Sequence, residues 1–209
     1  MKNTLLIVFV KNKKLGTVKT RLAKVIGDKL AFELYEALLD ITEKAVTGVD
    51  RDKVVYFSQS IEDTHWKNCK KKLQHGAHLG ARMHQAFLDG FALGYESIVL
   101  IGSDLPEISK EIIEKGFHEL EENDVVIGPA QDGGYYLIGM NQPHAQLFED
   151  KPWSQPNLLE VTLEQVKAQK LCLALLEPLN DIDTYDDLIA SDFFINNTEL
   201  QHKINPIHD

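Results

Sequence analysis

Ser97-Ile98-Val99-Leu100-Ile101-Gly102-Ser103-Asp104-Leu105-Pro106 decides how this chain folds. The run from Ile98 to Ile101 is apolar, largely β-branched and unbroken by polar residues. That pattern predicts a strand covered on both faces, as in a parallel sheet. Pro106 has no N–H to give to a neighbouring strand and ends the pairing. Asp104 is thereby placed just past the carboxyl end of a central strand, the edge of an open α/β sheet at which ligands bind. A carboxylate there suits a divalent metal carrying phosphates, and it equally suits a turn cap.

Outward from this strand, the same two periodicities alternate. Thr4–Val10 reads as a first strand, apolar without alternation, and Val54–Ser58 as a second. Val125–Ile127, Tyr135–Met140 and Leu171–Leu176 follow as further strands. Leu30, Leu34, Ala37, Leu38, Ile41 and Ala45 recur at helical spacing and predict a helix over Asp28–Thr47. Helices are expected over Leu79–Leu93, after the N-cap Ser109, and from Trp153 to Gln169; the polar stretch Ser60–Lys72 also reads as helix. Thr184 with Asp187 forms a variant capping box for a short helix. Alternating strands and helices imply right-handed crossovers and a mostly parallel sheet covered on both faces, an α/β fold in a single domain. The domain is expected over residues 1–192, with 193–209 a polar and loosely ordered tail.

At 209 residues the chain is long enough to bury a full core. It has no run able to span a bilayer, and the short apolar stretch at Thr4–Val10 lacks a signal-peptide cleavage site. Cys69 and Cys172 have neither disulfide-framework nor metal spacing, which fits a cytoplasmic protein. The net charge of −10 argues against a general nucleic-acid binder. Residues 1–30 nonetheless carry eight Lys/Arg and one Asp, while the remaining 179 carry 14 Lys/Arg against 31 Asp/Glu. One basic loop beside the first strand of an acidic protein calls for a small anionic ligand.

That loop, Lys11 to Leu22, follows a strand, contains Gly16 and leads into a helix, which is a phosphate-binding layout. It lacks the Walker A spacing and the dinucleotide fingerprint. Within it Lys11 and Lys19 serve as point charges and Arg21 as a bidentate clamp, with Gly16 and Thr20 in the loop itself. Asp181-Ile182-Asp183 also follows a strand. Residues i and i+2 of extended chain face the same way, so both carboxylates can address one ion together with Asp104. The alternative is that Asp183 merely neighbours a helix cap. Gln131-Asp132-Gly133-Gly134-Tyr135-Tyr136 lets backbone approach a ligand closely, offers Asp132 for a hydroxyl contact or as a base, and points one tyrosine each way; it also reads as a tight hairpin turn. Arg82 sits in the first turns of a helix, where it faces either the cleft or a surface carboxylate.

The motifs occur in a fixed order. Lys-x-x-x-x-Gly-x-Val-Lys-Thr-Arg-Leu is followed by Leu-Gly-x-Arg-Met, Gly-x-Asp-x-Pro and Pro-Ala-x-Asp-Gly-Gly-Tyr-Tyr-Leu-Ile-Gly. Pro-Trp-Ser and Asp-x-Asp-Thr complete the series. Over residues 4–190 the chain resembles the bacterial GT-A-type glycosyltransferase-like family, also described as radical-SAM/selenodomain-associated transferases. The resemblance implies the nucleotide-diphospho-sugar transferase fold, a Rossmann-like three-layer α/β/α sandwich shared with molybdopterin and phospholactate guanylyltransferases. It implies that Lys11–Arg21 lies over nucleotide phosphates, that Asp104 is the metal-binding aspartate, and that Asp181 or Asp183 is the second acidic position. The sequence departs from the family pattern at Asn12-Lys13-Lys14-Leu15, Ser103 and Gln131; the last removes a potential acid or base.

The expectation is a transferase requiring Mg2+ or Mn2+ and using a nucleotide-linked donor with a small-molecule acceptor. Asp104 and Asp132 are the candidate catalytic residues, Asp104, Asp181 and Asp183 the metal ligands. Lys11, Gly16, Lys19, Thr20, Arg21 and Arg82 bind the nucleotide, and Gly133, Gly134 and Tyr135 the substrate. Glycosyl transfer from a nucleotide-diphospho-sugar leads; nucleotidyl transfer with release of pyrophosphate and a non-catalytic nucleotide-binding module are the alternatives.

Overall fold

In a computed structural model, which describes residues 3–204, the chain alternates strands and helices. In chain order these are β1 (Thr4–Val10), α1 (Thr20–Ile26), α2 (Asp28–Thr47), β2 (Asp52–Phe57), β3 (Lys70–Leu73), α3 (Leu79–Ala92) and β4 (Ser97–Ile101). There follow α4 (Lys110–Glu119), β5 (Val125–Pro129), β6 (Tyr135–Met140), α5 (Leu158–Ala168), β7 (Leu173–Leu175), α6 (Tyr185–Ala190), α7 (Asp192–Ile195) and α8 (Thr198–Ile204). No described helix is long and apolar enough to cross a membrane.

The strands form one seven-stranded sheet in the order β3-β2-β1-β4-β6-β5-β7. β1 pairs in parallel with β2 and β4, β2 with β3, and β5 with β7; β6 runs antiparallel between β4 and β5. Every strand but β6 therefore ends at the same edge. The alternation within β4 explains why it reads as uniformly apolar: Val99 and Ile101 enter the core beneath α2 and α4, and Ile98 and Leu100 the core beneath α3 and α5. Helices on both faces make a three-layer α/β/α sandwich, and each fully buried Leu or Ile contributes about 1.5–3 kcal/mol.

The structure departs from the sequence expectations in several places, among them the helix expected from Trp153, which starts only at Leu158, and the expected last strand Leu171–Leu176, which shortens to Leu173–Leu175. Residues 58–69 are not helical, and the expected helix over Ser60–Lys72 gives way to β3. Its three lysines look unlike a strand, but β3 is an edge, where charged side chains are tolerated because they deter pairing with another chain. The buried stripe of α2 is rotated: Ala31, Leu34, Tyr35, Leu38, Leu39, Thr42, Ala45 and Val46 are covered, and Leu30, Ala37 and Ile41 only half-buried. α1 is a separate helix, joined to α2 through Gly27. Of the expected polar tail, Thr198–Ile204 form α8, which places Leu200 and Ile204 in a third cluster with Leu22, Ile26, Leu34 and Ile182, while residues 205–209 lie outside the described residues. Two apolar residues one turn apart anchor a stretch whose average composition is polar.

Candidate active site at the carboxyl edge of the sheet

The loop after β1 is held from below. The backbone of Lys11 exchanges two hydrogen bonds with Tyr35: its N–H donates to the phenol oxygen (3.0 Å), and the phenol donates to its carbonyl (2.9 Å). Asn12 is buried; its Oδ1 accepts from Gln59 N (2.7 Å), and its Nδ2 donates to the Ser60 carbonyl (2.6 Å) and Glu62 Oε1 (2.7 Å). The unusual residue at this position thus fastens the loop after β2 to the end of β1. A turn follows, closed by Thr17 N to the Lys14 carbonyl (3.0 Å), with Gly16 at φ 76°. Such a φ is routine for glycine and strained for other residues.

The chain then enters α1 through Lys19, which has φ 48°. Its side chain is only 3% exposed, and Nζ lies 3.2 Å from Asp104 Oδ1 and 3.9 Å from Asp183 Oδ1 without forming a hydrogen bond. Arg21, on the solvent side, places Nη1 3.2 Å from Asp183 Oδ2. Thr20 and the side chain of Lys11 are exposed.

Backbone hydrogen bonds draw the late aspartates to this point. After β7 the chain runs beside the β5–β6 hairpin, with Leu179 N donating to the Pro129 carbonyl (3.1 Å) and Gln131 N to the Leu179 carbonyl (3.0 Å). Ile182 N then donates to the Asp104 carbonyl (3.2 Å). The Ile182 side chain is fully buried in the cluster of α1, α2, α6 and α8; of the two flanking carboxylates, Asp183 lies beside Lys19, and the Lys19 charge also acts on Asp181. Asp187 Oδ2 accepts from Asp183 N (3.1 Å) and Thr184 N (2.6 Å), so the capping box of α6 also fixes the Asp181–Asp183 segment.

Asp181 is the most perturbed carboxyl here. Burial, then the charge of Asp132, raise it to about 7 against the lowering influence of Lys19, with Asp104 raising it further. Its Oδ1 is buried and has no hydrogen-bond partner. Burial, reinforced by the Asp104 charge, also pushes the Tyr35 phenol up. Tyr35 lies outside the apolar stripe that periodicity predicts for α2; its hydroxyl makes it a strut beneath Lys11 and close to Asp104.

The Asp132-Gly133-Gly134 stretch is both a hairpin turn and a neighbour of the site. Asp132 Oδ1 accepts from Gly134 N (2.8 Å), and the Asp132 charge acts on Asp181. Tyr136 packs in one core and its hydroxyl donates to the Glu177 carbonyl (3.1 Å). Tyr135 packs against the other, with its hydroxyl buried. Arg82 is not drawn into the cluster: its Nε donates to the Gly76 carbonyl (3.1 Å), closing the loop that leads into α3 at the same sheet edge.

The carboxylates of Asp104, Asp181 and Asp183 are not gathered within 4.8 Å of one another; among the described residues only Asp40, Glu43 and His65 bring three such ligand atoms that close. In that second group His65 Nδ1 lies 2.8 Å from Glu43 Oε2, Nε2 faces Lys13 Nζ at 3.1 Å, and Glu43 Oε1 accepts from Trp66 N (2.6 Å). These bonds tie the 60–66 loop to α2 and engage His65 and Glu43, with Asp40 exposed beside them.

Residues 42–155, just over half of the chain, match a family described as "Uncharacterized protein conserved in bacteria (DUF2064)". The chain belongs to the DUF2064 family. No curated protein matches it. Among solved structures, this DUF2064 chain is similar to a candidate nucleotide-diphospho-sugar transferase from Desulfovibrio desulfuricans G20, with 27% identity over 99% of both chains and a TM-score of 0.86. It shares the fold of an inositol-1-phosphate CTP transferase from T. maritima at 16% identity, covering 96% of this chain and 95% of that one, with a TM-score of 0.56. It also shares the fold of Rv0371C from Mycobacterium tuberculosis H37Rv in complex with manganese, at 13% identity over 89% and 96% of the chains and a TM-score of 0.54. The fold is that of the nucleotide-diphospho-sugar transferases.

Proposed function

We propose that the chain is a metal-dependent transferase using a nucleotide-linked donor, and that it transfers a glycosyl group from a nucleotide-diphospho-sugar to a small-molecule acceptor. The observation that carries this reading is the convergence of Asp104 and Asp183 on Lys19, with Asp181 and Arg21 beside them, where the strands end. The donor set is all oxygen, and the orphaned Asp181 Oδ1 lacks a partner, which suits Mg2+ or Mn2+. When bound, the metal supplies positive charge against the diphosphate.

In this reading Asp104, Asp181 and Asp183 hold the metal. Lys11, Lys19 and Arg21 stabilise the departing nucleotide, with Gly16 turning the loop and Thr20 at the start of α1 beside it. Arg82 reaches the phosphates from the opposite side of the edge. Asp132 contacts the acceptor hydroxyl, and Gly133, Gly134 and Tyr135 form the floor beneath it. The likeness to the Desulfovibrio protein supports a sugar-nucleotide donor, and the manganese complex of the Mycobacterium protein supports the metal. The transferase unit runs past the expected boundary at residue 192 to take in α8, which packs into the third core cluster, and it works in the cytoplasm. The narrower placement among the radical-SAM/selenodomain-associated transferases rests on the motif series.

A second reading, nucleotidyl transfer with release of pyrophosphate, is favoured by the dense positive charge of the Lys11–Arg21 loop and by the likeness to the CTP transferase. Calorimetric titration with UDP- and GDP-sugars, with and without Mn2+, tests the first reading; the expected result is binding that Mn2+ enhances. Pyrophosphate release from a nucleoside triphosphate with an acceptor panel, in the absence of such binding, selects the second. If Asp104→Ala leaves metal binding and all turnover unchanged, the protein is a non-catalytic nucleotide-binding module.

A further inference from the structure

We infer that Lys19 is an internal cation that keeps the place of the divalent metal between Asp104 and Asp183, so that a metal enters as the ammonium leaves. The inference rests on the metal-dependent reading above and concerns how that site is loaded. The Lys19 ammonium is buried without a hydrogen bond, at 3.2 and 3.9 Å from two candidate ligands. Its backbone stands at φ 48°, in a left-handed region that lysine seldom adopts, so the surrounding fold holds the residue in place. The three candidate carboxylates are spread wider than a coordinating trio. A positive charge between them accounts for both facts: it keeps the carboxylates together against their mutual repulsion and keeps them from closing.

An ammonium and a divalent ion repel strongly at such distances when water is excluded. Lys19 therefore has to turn away before the carboxylates can close on a metal. Its natural new partner is an anion entering over the Lys11–Arg21 loop. A phosphate-bearing ligand then plays two parts, drawing Nζ off the carboxylates and adding oxygen ligands to the ion. Metal and nucleotide bind together, and each raises the affinity of the other by the same factor. Metal alone binds weakly.

Mn2+ alone, titrated into the full chain and followed by electron paramagnetic resonance, tests this without any turnover. Lys19→Gln is expected to bind Mn2+ at least about tenfold more tightly than the unaltered protein, because the competing charge is gone. Lys19→Asn is a second neutral variant whose side chain tolerates positive φ, should Lys19→Gln not fold. Lys19→Arg, which keeps the charge, is expected to bind as weakly as the unaltered protein. Adding Asp104→Asn to Lys19→Gln should abolish the gain and so place the ion at this site rather than at Asp40, Glu43 and His65. Folded neutral variants that bind Mn2+ no better than the unaltered protein, while Asp104→Asn still weakens it, overturn the inference and leave the metal site standing. No Asp104-dependent Mn2+ binding in any variant overturns the metal-dependent reading itself.

Discussion

Gly133 is pressed against Pro156: a Cβ on Gly133 would be driven into the Pro156 carbonyl oxygen. Gly133 also stands at φ 89° and accepts a hydrogen bond from Leu159 N (2.8 Å), so the hairpin after β5 is locked to the turn before α5. Gly133→Ala therefore combines a strained backbone with a clash against main chain, which cannot swing aside as a side chain does. The expected loss is about 2–5 kcal/mol, read from the urea midpoint. Catalytic efficiency should fall as well, because the same movement displaces Asp132.

Asp181 gives the metal-free protein a pH dependence with a definite sign. Its folded value of about 7 lies above the ordinary 3.8, so between these pH values the folded state keeps a proton that the unfolded state has released. Stability from this group accordingly falls as pH rises through that window and levels off above it, by up to about 4 kcal/mol. Asp181→Asn removes the titration. Relative to the unaltered protein, the variant should gain stability between about pH 4 and about pH 7 in denaturant titrations without metal. A constant difference between the two proteins would show that burial leaves Asp181 with its ordinary pKa in the folded state.

Arg21 separates binding from folding. Its side chain is 59% exposed, and its ion pair with Asp183 is open to water. Such pairs contribute about 0–1 kcal/mol, so Arg21→Ala should barely move the thermal midpoint. Nucleotide affinity should weaken by about tenfold to a hundredfold in calorimetry, since a phosphate loses a two-pronged partner.

α8 supports the site from behind. Ile204 is fully buried beside Leu22, Leu34 and Ile182, and Ile182 sets the direction of the aspartates on either side of it. Ile204→Ala should cost about 2–4 kcal/mol of stability by chemical denaturation. Nucleotide binding should persist once the variant is folded, because no phosphate-facing group is touched.

Local pattern determined much of this molecule. β1, α2, β4 and β6 begin and end where hydrophobic periodicity places them, and the Thr184–Asp187 capping box forms as its spacing predicts. These features arise between residues near in sequence, so short-range preference is enough to specify them. The lysine-rich β3 escaped that reading because edge pairing is a backbone property that its side chains disguise.

The sequence by itself placed Asp104 just past a strand and the cationic loop after the first, but Asp181 and Asp183, expected directly after the last strand, lie well beyond the end of β7 at Leu175. It could not say that Lys19 would be buried among those carboxylates, nor that Tyr35 would brace the loop from α2. Only the tertiary structure decided this, through contacts between distant segments such as the bond from Ile182 N to the Asp104 carbonyl. The physical reason is that a charge near one end of the chain gains its surroundings from strands at the other, and those surroundings exist only once the sheet has closed up around them.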